Sequence, residues 1–182
     1  ISGQNSFFGS SAGLNNTGGA NNSFFGFEAG KANTSATNND FFGVFAGTQT
    51  DNSSFNAFFG AGSGFSNRNG GSNAFFGNST GYYFTSGFSN TFLGAAAGFD
   101  VGSGTGLVTG DRNTLLGYVA GKGITSGSDN TFLGSQTTGV NNLTNATSIG
   151  ANTVVSQSNS LILGNNANVG IGTSAPASKL TV

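Results

Sequence analysis

The chain has 182 residues with a net charge of −1, and only 6% of them are charged, against about 25% in ordinary soluble domains. It contains no His and no Cys, which excludes the usual transition-metal ligands and the Ser-His and Cys-His catalytic pairs. Five scattered cations cannot neutralise a phosphate backbone, so no nucleic-acid partner is expected. No apolar run reaches the roughly 20 residues of a membrane helix, so no membrane span is expected either.

Glycine supplies 33 residues and phenylalanine 19. A Gly-, Ser- and Asn-rich chain of low hydrophobicity commonly stays disordered. Here the net charge is near zero and the aromatics recur at fixed intervals, which favours an ordered repeat. No basic segment followed by an apolar one opens the chain. With no methionine, Ile1 is expected not to be a translation start, and the chain to be a processed product or an excerpt. The absence of cysteine is compatible with an exposed, oxidising location.

The pattern Asn-x-Φ-Φ-Gly-x-x-small-Gly begins at Asn5, Asn22, Asn39, Asn56, Asn73, Asn90, Asn113 and Asn130. These starts keep a seventeen-residue period, except that the interval from Asn90 to Asn113 is longer and implies a six-residue insertion within about 99–112. The apolar pair of each copy is Phe7-Phe8, Phe24-Phe25, Phe41-Phe42, Phe58-Phe59, Phe75-Phe76, Phe92-Leu93, Leu115-Leu116 and Phe132-Leu133. A glycine follows each pair, as in Gly9 and Gly26. A second one, as in Gly13 and Gly30, comes four residues later and is displaced to Gly139 in the eighth copy.

A helical reading fails, because two or three glycines per repeat would each cost about 1 kcal/mol relative to alanine. Short aromatic strands bounded by Gly, Asn and Ser turns fit instead. The expected fold is all-β: a β-solenoid, a parallel β-roll or β-helix of about ten coils, in which equivalent positions stack about 4.8 Å apart. The eight repeat asparagines then form a turn ladder, since Asn tolerates left-handed backbone and stacked amides can pair between coils. The glycines mark corners needing positive φ or close backbone approach. The insertion is expected to leave the coil as a loop.

Adjacent residues of a strand point to opposite faces. If the first ring of each pair enters the coil, the second is left outside, and a lone solenoid exposes a line of eight large apolar side chains. Such a stripe marks an interaction surface, and burying each ring is worth about 1.5–3 kcal/mol. The expected partners are therefore copies of the same chain, in a homotrimer or an open polymer. The competing expectation is a bulge or corner that turns both rings inward.

Beyond Asn130 the pattern becomes aliphatic, in Ser148-Ile149-Gly150 and Asn159-Ser-Leu-Ile-Leu-Gly164, and Gly150 and Gly164 stand closer together than one full repeat. The last stretch, Asn168-Val-Gly-Ile-Gly-Thr173 to Lys179-Leu-Thr-Val182, holds the single proline, Pro176. Its final residues could add an extended strand to a neighbouring subunit. Ala146-Thr-Ser-Ile-Gly150 and Asn159–Gly164 resemble head repeats of trimeric autotransporter adhesins. The final stretch resembles a linker of large bacterial surface proteins and phage tail fibres, and the Asn-Thr-Phe-Leu-Gly arrays resemble repeats upstream of it. The resemblance implies a trimeric parallel β-roll on a cell or virion surface, with an intramolecular chaperone domain removed or lying beyond Val182. The repeat period here is longer than that of the adhesin repeats.

Three segments are expected: the 17-residue repeat over 1–146, adhesin-head-like coils over 147–172, and a C-terminal extension over 173–182. Glu28, Asp40, Asp51, Asp100, Asp111 and Asp129 occupy different phases, so no catalytic pair, cofactor site or repeated calcium site is expected. Gly102-Ser-Gly-Thr-Gly106 lacks the lysine of a phosphate loop. Asp111-Arg112 reads as an exposed or loop-stabilising contact. Sequons such as Asn15-Asn-Thr17 and Asn78-Ser-Thr80 arise by chance at this composition, and the threonine column of Thr17, Thr34, Thr85 and Thr125 is too broken for an ice-binding face. The functional expectation is a non-enzymatic structural subunit of an extracellular fibre or filament. The alternative is an adhesin or receptor-binding fibre contacting a host surface or glycan.

Overall fold

A computed structural model describes residues 3–99 and 108–181. Among them there is no helix; the chain is an all-β solenoid of about nine turns. Ten strands of three residues form one parallel sheet: Ser6–Phe8, Ser23–Phe25, Asp40–Phe42, Ala57–Phe59, Ala74–Phe76, Thr91–Leu93, Thr114–Leu116, Thr131–Leu133, Thr147–Ile149 and Leu161–Leu163. Their register is that of the repeat columns, with Phe7 opposite Phe24, Phe24 opposite Phe41, and Phe92 opposite Leu115. That last pair shows the sheet passing the insertion without a slip. The expected insertion loop itself lies mostly at 100–107, outside the described residues.

The strands of the main sheet are short because a glycine turns the chain directly after the third residue of each. Gly26 has φ 144°, a conformation closed to side chains, and a Cβ there would lie 2.3 Å from the carbonyl oxygen of Gly43. The second glycine has a different reason. At Gly30, φ is 58° and a Cβ would stand 2.4 Å from Cε2 of Phe24. Only a bare backbone closes this tightly over the ring of its own coil. In the eighth copy the displaced glycine, Gly139, belongs to a short strand and takes no positive φ.

The first ring of each pair points inward and the second outward. Phe24, Phe41, Phe58, Phe75, Phe92 and Phe132 are fully buried, Leu115 nearly so, and Phe7 in the first coil half-buried. From Phe7 to Phe92 the inner rings stack face to face, their centroids 4.4–4.9 Å apart. Coil spacing sets that distance, which is also the offset-stacking range of aromatic pairs. Phe84 enters the same core edge-on, 5.4 Å from Phe75 and 5.5 Å from Phe92.

The aliphatic segment continues the sheet. Thr131 pairs with Thr147 and Thr147 with Leu161, so the coil shortens by one residue at the first of these steps and by two more at the second. The inner column ends in buried Ser148 and half-buried Ile162. Beyond it, Val169–Gly170 pairs in parallel with Leu180–Thr181 as a separate two-stranded sheet. The terminal strand thus pairs with its own chain.

Candidate assembly surface

The outer column of the main sheet is a continuous apolar line. It runs Phe8, Phe25, Phe42, Phe59, Phe76, Leu93, Leu116, Leu133, Ile149 and Leu163, each partly or fully exposed. Phe25, Phe42, Phe59 and Phe76 stack at 4.7–4.9 Å with interplanar angles of 6°. Phe8 follows at 6.2 Å and is 74% exposed. The rings shield one another's faces and leave their edges outward. Glycine after glycine flanks it, which leaves the edges unscreened.

Beside this column runs the asparagine ladder. The backbone N–H of Asn22 donates to Oδ1 of Asn5, Asn39 to Asn22, Asn56 to Asn39, Asn73 to Asn56, and Asn90 to Asn73. It continues through Asn113 and Asn130 and ends where Ala146 donates to Asn130. The side-chain Nδ2 groups donate in turn to carbonyls of the approaching corner, as Asn73 does to Gly87 at 3.0 Å. The ladder is built from side chains and does not use left-handed backbone at these asparagines. From Asn22 on, the left-handed residue is the one before each: Asn21, Asn38, Phe55, Ser72, Ser89, Arg112 and Asp129, at φ 54–65°.

Replacing Asn73 by alanine should therefore strand two buried backbone groups, the N–H of Asn90 and the carbonyl of Gly87. Each costs about 1–3 kcal/mol when left unpaired. Urea unfolding is expected to show a loss of that order for Asn73→Ala and a small one for exposed Asn78→Ala; equal losses would refute the ladder's role.

No family model, curated protein or solved structure matches this chain. The reading of the surface therefore rests on its own geometry. A second aromatic stripe, only partly visible in the repeat pattern, runs through Phe27, Phe45, Phe65 and Tyr82 and ends at Tyr83 and Phe99. Its rings meet at 4.7–6.3 Å, in both edge-on and stacked contacts. Phe65, Tyr82 and Phe99 share one phase of the repeat, whereas Phe27, Phe45 and Tyr83 stand at other phases, so the sequence column shows only half of the stripe.

The charged groups are dispersed. Lys31 pairs with Glu28 at 2.7 Å. Arg112 pairs with Asp129 of the next coil at 2.7 Å, not with adjacent Asp111, whose carboxylate accepts the N–H of Phe88. Hydrogen bonding from Arg112 holds the Asp129 carboxyl below its usual range. Asp51 accepts from the Thr34 hydroxyl, and Asp40 is exposed on its strand. Asp100 lies outside the described residues. Among the described residues no three His, Cys, Asp or Glu side chains gather into a metal site, and no helix is long and apolar enough to cross a membrane.

Proposed function

We propose that the chain is a structural subunit of an extracellular fibre or filament, self-associating through the outer column of its main sheet. The observation that carries this reading is the unbroken line from Phe8 to Leu163, preorganised by its own stacking. Each ring buried in a contact contributes about 1.5–3 kcal/mol at most, and a line of ten positions offsets the loss of freedom on association. Its function in this reading is reach, stiffness and assembly, with no chemistry at any side chain. A self-complementary face closes into a symmetric oligomer such as a trimer, or propagates into an open filament. The adhesive alternative turns on a polar groove elsewhere on the coil.

Light scattering and negative-stain imaging at two concentrations test the proposal. The wild-type chain is expected as a discrete trimer or as length-variable filaments. The triple variant Phe42→Ser, Phe59→Ser, Phe76→Ser should be monomeric with an unchanged β circular-dichroism spectrum. A wild-type monomer at both concentrations would sink the reading.

A further inference from the structure

Two adjoining hollows on another side of the coil form one groove. The first, about 520 Å³, is lined by Asn15, Thr34, Gln49, Asp51 and Arg68 among others. The second, about 380 Å³, adds Phe55 and Phe88, and the two share Asn52 and Asn69. From Asn15 in the first coil to Phe88 in the fifth the groove crosses four coil steps, about 19 Å at the spacing of paired strands.

Two features set it apart from an ordinary polar turn surface. Phe55 is 62% exposed and Phe88 55% exposed. Phe88 lies against the backbone of Gly71, where a Cβ would stand 3.3 Å from its ring. Phe55 is held at φ 65° in the column where neighbouring coils place Asn38 and Ser72. Left-handed backbone is cheap for Asn and an outlier for a bulky aromatic. The corner imposes that backbone in each coil from Asn21 on, and at this one it is filled by an exposed ring where its neighbours place Asn and Ser.

We infer that this groove binds a neutral oligosaccharide, its sugar C–H faces on Phe55 and Phe88 and its hydroxyls on the side chains between them. Asn52, Asn69 and Gln49 offer amides, and Asp51 and Arg68 offer one acceptor and one cationic donor, so the groove carries no net charge. The Arg68 guanidinium is already oriented by Nη2 and Nε bonds to Oε1 of Gln49, at 2.7 and 3.2 Å, and Asp51 by the Thr34 hydroxyl at 2.7 Å. Alternating flat apolar and hydroxylated faces are the complement of this lining. A peptide added as a further strand would need a free strand edge. Here the backbone is committed to neighbouring coils, as in the bonds of Thr34 N–H to Asp51 and of Arg68 and Asn69 N–H to Thr85. The inference gives the adhesive reading its ligand class and does not depend on self-association.

Calorimetric titration of the full chain with maltotetraose, cellotetraose and chitotetraose tests it. At least one is expected to bind, and Phe88→Ala and Phe55→Asn should each weaken that binding about tenfold. Phe55→Asn should also raise the melting temperature, because it relieves the backbone, so its loss of binding cannot be assigned to misfolding. Binding undiminished in both variants, or no binding of any probe at millimolar concentration, would overturn the inference. So would a change in assembly state alone, which would make the groove a contact between copies. Adhesion to a protein-coated surface without saccharide binding would overturn the ligand while leaving the adhesive reading intact.

Discussion

Gly60→Ala should be among the most damaging single-methyl changes this chain can receive. Gly60 has φ 135°, and a Cβ there would lie 2.3 Å from the carbonyl oxygen of Gly77 in the next coil. That oxygen is backbone in a stacked array and cannot swing aside. The conformation itself is nearly closed to residues with a side chain, at about 1–3 kcal/mol, before the clash is added. A loss of about 3 kcal/mol or more is expected. Gly18→Ala is the control, since the nearest atom a Cβ there would meet is 3.9 Å away and its φ is not positive. It should lie within about 0.5 kcal/mol of the parent. Urea unfolding of the two variants decides the matter; similar midpoints would refute the corner as described.

Phe58→Ala is expected to cost about 3–5 kcal/mol, the range for emptying a buried aromatic position. A domain has about 5–15 kcal/mol in total, so this is a large share. Phe58 is fully buried, and its ring faces Phe41 and Phe75, each at 4.9 Å. The loss falls on both neighbouring coils. In a nearest-neighbour array such a weak step can divide one cooperative transition into two. Phe59→Ala, one residue on, removes a half-buried ring from the outer column and should cost the dilute monomer much less. Thermal unfolding at high dilution compares them. Equal losses would mean that the two columns are not inner and outer.

Much of this architecture can be read in the sequence because a regular period forces like onto like. Phe24, Phe41 and Phe58 announce the inner stack, Phe25, Phe42 and Phe59 the outer one, and Gly26 and Gly43 the corner between coils. What is not legible follows from the same cause. The left-handed positions of the corners hold Ser11, Glu28, Phe45, Ala96 and Val119, a set with no common side chain, because the stacked backbone imposes the conformation. The stripe changes phase from Phe27 to Phe45 and again to Phe65, and keeps one column only from Phe65 to Tyr82 and Phe99. Phe55 and Phe88 occupy different phases of the repeat and meet only as the walls of a groove. Ser148 stands where a ring would be expected, yet it is fully buried, since register rather than hydrophobicity carries the sheet past it.

The asparagine ladder also bears on how such a chain carries load. Its bonds run along the solenoid axis, from Asn5 to Ala146, parallel to the backbone bonds between coils. A pull on the chain ends would peel the coils one corner at a time, releasing about 17 residues at about 3.3–3.6 Å each for every coil lost. A pull spread across the outer column by neighbours would strain all bonds of a coil together. In the proposed fibre the tensile strength of one coil stack would be a property of its lateral contacts, and a solitary chain would unravel like a thread.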